Sequence, residues 1–302
     1  MRTTSLDKNC GWVDDQKKVE SVMSQLPHPV FGDIWGDIKN SGAGKSLLLY
    51  DVVRSLNNKV YPNRKQETGD CVSTGGANAI DVTKSCDIIV KKQFEEWVAE
   101  TASEDLYAGS RVQIGKGRIS GNGSIGAWLA QYVNLYGALP RGKYGNVDLT
   151  TYSGQRAVLW GAASRGVPQS LIPYAKEHPI ATVSRVDSYE QARDLLANGY
   201  GIFICSNQGF SATRDKDGFS APSGIWYHCM CANALDDKFR RPGLCIQNTW
   251  GTWNSGPKRH NQPDGSFWVD ADVINKMLKQ GDSWALSGYE GFKPRKINTR
   301  IF

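Results

Sequence analysis

The chain has 302 residues, 40% hydrophobic and 22% charged, with a formal net charge of +6, which is ordinary for one large globular domain or two that share a core. The positive charge is spread along the sequence, and its one dense patch is the tail Lys293-Pro-Arg295-Lys296 with Arg300, so nucleic acid is not an expected partner. No stretch reaches the ~18 apolar residues of a membrane span, and the opening Met1–Lys8 lacks the apolar core of a signal peptide. A cytoplasmic protein without a membrane partner is therefore expected. The seven cysteines are an odd number, so at least one thiol is unpaired within the chain, and thiols are the default without a secretion signal.

Residues 1–60 read as an N-terminal arm. Turn signals are scattered through it (Pro27-His-Pro29, Asn57-Asn58), and a short amphipathic stretch from Ser46 to Leu56 is expected to pack on the next part of the chain. Gly42-Ala-Gly44-Lys45-Ser46 looks like the end of a phosphate-binding loop, but Lys39 stands where that motif needs its first glycine, so no nucleotide is expected.

Residues 61–140 read as a helical half. From Cys71 the apolar positions Ala77, Ile80, Val82, Ile88 and Ile89, then Phe94, Trp97 and Val98, recur at three- and four-residue steps. After a glycine-rich stretch, Ala127–Tyr136 reads as a helix stopped by Gly137, with Pro140 just beyond. Residues 141–176 carry no clear pattern, and 141–302 as a whole read as the β-rich half. Its strands are expected at 180–186, 201–205, 226–234, 244–248 and 266–269, with one helix from Ser188 to Leu196 capped by Ser188. A helical half followed by a strand-rich half is an α+β pattern.

Three short segments carry chemistry. In Gln66-Glu-Thr-Gly-Asp-Cys71 a turn delivers a thiol to the start of a helix, where unpaired N–H groups favour the thiolate. The other six cysteines, Cys10, Cys86, Cys205, Cys229, Cys231 and Cys245, read as structural. Of the four histidines, His28, His178 and His260 fall in loops, and His228 alone opens an apolar strand. His228-Cys229-Met-Cys231 invites a zinc reading. Neighbouring strand residues point to opposite faces and no second ligand pair is spaced to help, so no metal is expected. The third segment is Gln247-Asn248-Thr-Trp250-Gly251, 20 residues beyond the histidine.

In this order Gln, Cys, His and Asn-x-Trp-Gly resemble the papain-like cysteine proteases, over roughly residues 60–290. The resemblance implies a papain-like fold, with a helical half bearing Cys71, an antiparallel β-barrel-like half bearing His228 and Asn248, and an active-site cleft between them. It implies that Cys71 is the nucleophile and His228 the base. Asn248 would orient the imidazole, and Trp250 would cover their hydrogen bond. Gln66 and the Cys71 N–H would form the oxyanion hole. Gly123-Ser124 would pair with the substrate backbone, and Trp226 would narrow or close the main side-chain pocket. The implied reaction is hydrolysis of a polypeptide, without a cofactor.

The sequence departs from the family at several points. Gln66 is one residue nearer the cysteine, Val72 replaces an aromatic residue, Ser124 replaces a glycine, and His228 lies farther along the chain. The arm is short for the helical inhibitory prodomain such proteases carry. Chains without prodomain or signal resemble papain-like proteins of bacteria and their phages. That adds a second reading, a virion or assembly component whose partners are other virion proteins. A third, a cell-wall peptidase or amidase, is opposed by the Asn-x-Trp-Gly element.

Overall fold

The structure is a computed structural model and describes residues 9–91 and 100–297. Helices dominate the first part: α1 (Gln16–Met23), α2 (Leu49–Leu56), α3 (Cys71–Lys91), α4 (Glu104–Ala108) and α5 (Gly126–Tyr136). The amphipathic stretch expected at 46–56 divides into a short strand, β1 (Ser46–Leu48), and α2. Phe94, Trp97 and Val98 of the expected helical pattern lie outside the described residues.

The stretch without a sequence pattern contains the small ribbon β2 (Lys143–Tyr144) and β3 (Val147–Asp148), with the short helices α6 (Gly154–Trp160) and α7 (Ile172–Lys176). Then come β4 (Thr182–Arg185), α8 (Tyr189–Ala197), β5 (Ile202–Arg214), β6 (Ser220–Asp236), β7 (Gly243–Gln247), β8 (Ser266–Asp270), α9 (Ala271–Leu278) and β9 (Trp284–Ser287). Ser188 caps α8 as its sequence suggests, its side chain accepting from the Gln191 N–H.

The larger strands form one open antiparallel sheet in the order β4-β9-β5-β6-β7-β8, with β1 pairing to β6. The α+β class read from the sequence is the class observed, and the β half is an open sheet. The 17-residue β6 is its spine: Cys229 lies opposite Cys205 on β5, and Cys231 opposite Gln247 at the end of β7. Register shifts along both pairings twist the long strand.

Helix α3 crosses this sheet buried on nearly all sides, which its even spread of apolar and small residues allows. Gly75, one turn into α3, is what lets the helix start approach β6. A Cβ there would lie 3.0 Å from the Cys229 carbonyl oxygen. The buried core runs on from the sheet and α3 into the first 56 residues, taking in Val19, Phe31, Ile38, Leu49 and Tyr50.

Two basic features of the sequence are absorbed by the fold. Arg295 of the tail forms an ion pair with Asp87 and bonds the carbonyls of Asn198 and Gly199. In the loop that looks like a phosphate site, the Gly42 N–H donates to Asp194 and the Gly44 N–H to Asp237. Those amides hold the protein's own carboxylates.

Candidate active site

Cys71 is the first residue of α3 and is wholly buried. Asp70 opens the helix, its carbonyl accepting from the Ser73 and Thr74 N–H groups. The backbone N–H groups of Cys229 and Gly11 lie near the Cys71 sulfur and favour its thiolate form. The nucleophile candidate therefore lies against the strand residue that directly follows His228.

His228 and Asn248 meet because β6 and β7 run antiparallel. From the last paired residues, Cys231 and Gln247, one strand leads back to His228 and the other chain leads on to Asn248. Asn248 Oδ1 sits 2.8 Å from His228 Nε2 and also accepts from the Thr249 N–H. With Nε2 so engaged, Nδ1 is the nitrogen left for other work, and it is buried without a hydrogen-bond partner. Trp250 lies over the imidazole with ring centroids 4.6 Å apart. It shields the His228–Asn248 bond from water.

Gln66 is aimed by the β half. Its N–H donates to the Thr249 carbonyl, and its Oε1 accepts from Thr249 Oγ1 at 2.5 Å. The neighbouring Gly251 N–H donates to the Arg64 carbonyl, so the 64–66 and 249–251 loops are tied together. Arg64 is buried and held in turn by Asp81 at 2.5 Å and by Asn78. These bonds leave Gln66 Nε2 donating to two peptide carbonyls, that of Thr68 in its own loop at 2.7 Å and that of Asn9 at 2.8 Å.

The Asn9 carbonyl belongs to the N-terminal arm, which lies in the cleft. Trp12 N–H donates to the Tyr227 carbonyl at 3.0 Å. Val13 N–H donates to the Ser124 carbonyl, and Ser124 N–H to the Gly11 carbonyl, as a parallel bridge. The Trp12 ring is 3% exposed, stacked on Tyr227, with its Nε1 donating to Asp282 at 2.8 Å. Glycine alone fits at position 11, because a Cβ on Gly11 would fall 1.9 Å from the Gly69 carbonyl oxygen. Gly123 meets the arm with φ +106, and a Cβ on it would strike the Gly11 carbonyl.

Ser124 thus gives a backbone edge that an extended chain pairs with, and the chain paired there is the arm, whereas the Gly123 N–H donates to Tyr107 OH and its carbonyl accepts from Arg111. The Ser124 hydroxyl turns away from the cleft to Ser110 Oγ, 2.8 Å distant. Trp226 packs on the same strand face as His228. It is 9% exposed, within a cluster of Trp250, Trp253 and Phe210 beside His228. Strand alternation explains this: residues 226 and 228 share a face, and Tyr227 is the residue that turns to the arm.

Burial shapes the electrostatics. It pushes the Cys71 thiol well above its ordinary value, opposed by the two backbone N–H groups. It lowers His228 to about 4, opposed by Asn248. With the arm in place the pair is therefore thiol and neutral imidazole. Asp70 is likewise raised to about 7 by burial, although Tyr152 OH donates to it, so it is about half ionised near neutral pH. Chemically, the site offers a thiol, a nitrogen base oriented from behind, and an amide donor, Gln66 Nε2, that already holds peptide carbonyls. That set suits acyl transfer.

The sequence left several members of the site unmarked. The arm's pairing with the body runs through backbone atoms, so residue identity records it only at Gly11 and at the buried Trp12. Asp282 and Thr249 are ordinary polar residues until the fold places them. Arg64 and Asp81 become legible as a pair only once α3 brings residue 81 beneath the 64–66 loop.

No protein-family model matches the sequence, and no curated protein matches it. Solved structures do. The fold is similar to that of xylellain, a cysteine protease from Xylella fastidiosa, at 16% identity and a TM-score of 0.55, over 95% of this chain and 98% of that one. It is similar to a recombinant stem bromelain precursor at 14% identity and a TM-score of 0.52, over 93% and 78% of the two chains. It is also similar to procathepsin B S9 from Trypanosoma congolense at 13% identity and a TM-score of 0.50, over 93% and 86%. Among the described residues no helix is long and apolar enough to cross a membrane. With its helical part against an antiparallel sheet and the cleft where they meet, the chain has the papain-like fold.

Proposed function

We propose that the protein is a cysteine peptidase held latent by its own N-terminal arm, with Cys71, His228 and Asn248 as its triad. The observation that carries this reading is the placement of the Asn9 carbonyl on Gln66 Nε2, in the cleft that holds the Cys71 sulfur. On this reading a peptide carbonyl takes up the Gln66 donor that an oxyanion would need.

When the arm leaves, water reaches the pair, the burial penalties relax, and His228 Nδ1 takes the Cys71 proton. The thiolate attacks the substrate carbonyl carbon, and Gln66 Nε2 with the Cys71 N–H receives the negative charge on oxygen. The imidazolium proton passes to the departing amine as the C–N bond breaks, leaving a thioester on Cys71. His228 then removes a proton from water, whose oxygen attacks the thioester, and the acid product and the thiol are regenerated. Asn248 holds the ring throughout, and Trp250 keeps water from its bond. The substrate is a polypeptide laid along Gly123-Ser124, and no cofactor takes part.

Casein hydrolysis by a Gly11→Ala protein, in which the arm is lifted more often, tests this reading. Hydrolysis abolished by Cys71→Ala and by His228→Ala supports it. Peptidoglycan cleavage in place of casein cleavage would favour the cell-wall amidase. A filled cleft also favours the second reading, a virion or assembly component that keeps the fold as a scaffold. An inert thiol and no hydrolysis in the Gly11→Ala protein would decide for that scaffold.

A further inference from the structure

A cavity of about 480 Å³ lies away from the cleft, between α1, the turn at 115–118 and α5. Four cations converge on it: Lys17 and Lys18 from α1, and Lys116 and Arg118 from the turn. Among the described residues no carboxylate lines it. Lys18 pairs with Asp15, but among the described residues Lys17, Lys116 and Arg118 have no ion-pair partner. Lys18 and Arg118 both lie over the buried ring of Trp128, at 5.6 and 5.5 Å, which holds two of the charges at the cavity wall. The backbone of Lys116 is left-handed, with φ +55, an uncommon state for a residue other than glycine. Its Nζ is anchored on the Gln113 carbonyl.

Three uncompensated cations, beside the Asp15-paired Lys18, repel each other across one cavity unless an anion enters. The cavity volume falls in the ~300–1,000 Å³ range of small-molecule sites. Three ammonium groups and one planar guanidinium suit an anion that carries several charges on tetrahedral oxygens. We propose that this cavity binds a compact phosphate-bearing anion of about pyrophosphate size.

The site joins two parts of the molecule. Lys17 and Lys18 belong to the helix that directly follows the cleft-filling arm, and Lys116 and Arg118 to the body. An anion between them removes the repulsion across that seam and strengthens the seating of α1. By linkage, a protein with its arm released binds the anion less tightly if α1 loosens with it. This coupling rests on the arm-blocked cleft described above, whereas the binding itself does not.

The test is calorimetric titration of the intact protein with inorganic pyrophosphate at low ionic strength. One saturable site is expected, weakened at least tenfold in Lys17→Gln/Arg118→Gln and weakened by salt, with Lys238→Gln as an unaffected control. Hydrogen exchange of the α1 amides should slow when pyrophosphate is added. Lys116→Gln serves as a second variant should the double one lose thermal stability. Absence of saturable binding would overturn the proposal. So would affinity unchanged in the cavity variants, or binding of a single-stranded DNA oligonucleotide without binding of pyrophosphate.

Discussion

The seat of the arm predicts a large effect from a single methyl group. In Gly11→Ala the new Cβ would lie 1.9 Å from the Gly69 carbonyl oxygen and 2.5 Å from its carbon. Both are backbone atoms next to Asp70-Cys71, so neither can turn aside as a side chain would. Overpacking of this kind costs ~1–3 kcal/mol where the surroundings can adjust. At the upper end, the population with the arm lifted rises about 100-fold, since ~1.4 kcal/mol is a factor of ten. Cys71 is fully buried when the arm is seated, so alkylation must pass through the lifted form.

The rate of Cys71 labelling by iodoacetamide at neutral pH, followed by peptide mass mapping, should therefore rise about 100-fold. Gly36→Ala is the control, because nothing lies within 4 Å of a Cβ built there. The released protein should also label at pH about 5–6, where an ordinary thiol is nearly inert, and lose that reactivity in Gly11→Ala/His228→Ala. Equal labelling of Gly11→Ala and the parent protein would refute the claim that the arm controls access to the thiol.

Three further outcomes are expected. Thr249→Val removes the hydroxyl that fixes Gln66 Oε1; in the arm-released protein, kcat on a peptide substrate should fall by ~10-fold or more while KM changes little. Arg64→Leu leaves Asp81 buried without its partner and should destabilise by about 3–5 kcal/mol in urea unfolding; Arg64→Leu/Asp81→Leu should recover part of that loss. Asp105 is buried with both carboxylate oxygens lacking a partner, and burial raises it from 3.8 to about 8. A folded value above the unfolded one means its contribution is fully present below pH 3.8 and is lost as pH rises toward about 8. Asp105→Asn should thus stabilise by about 2–4 kcal/mol at pH 7, on ~1.4 kcal/mol per pH unit, with a much smaller gain at pH 5. A gain independent of pH would show that the carboxyl is not the cause.

How much of the fold and the site is legible in the sequence differs from residue to residue. Strands such as 244–248 and 266–269 are visible because a half-buried strand leaves a short apolar run between turn residues. The start of α3 is visible because Gly69-Asp70 punctuates the chain before an apolar pattern. His228 and Asn248 are legible as candidates through their flanking residues, but their 2.8 Å contact depends on the β6–β7 register, which no local pattern encodes. Trp226 illustrates the limit. Its sequence position suggests the side-chain pocket, whereas its ring contacts with Phe210, Trp250 and Trp253 come from distant segments that only the fold assembles. Helix α1 escapes notice in the sequence, because its apolar positions Val19, Val22 and Met23 are too few over eight residues to set a period.

The arm's continuity with the core determines how the cleft can open. Beyond residue 15 the chain enters α1 and then contributes Val19, Phe31, Ile38 and β1 to the body of the protein. The blocking segment cannot be discarded as a separate domain, because everything behind it is structural. Among the described residues only 9–15, ahead of α1, can peel away, and while attached they act as a tethered ligand. Their effective concentration, on the millimolar scale for a short tether, is one that free peptides must outcompete. A single backbone cut between Val13 and α1 would change that balance. The severed piece would retain its contacts but lose its tether, so dilution alone would carry it away. Opening would then be irreversible, with the rest of the fold undisturbed.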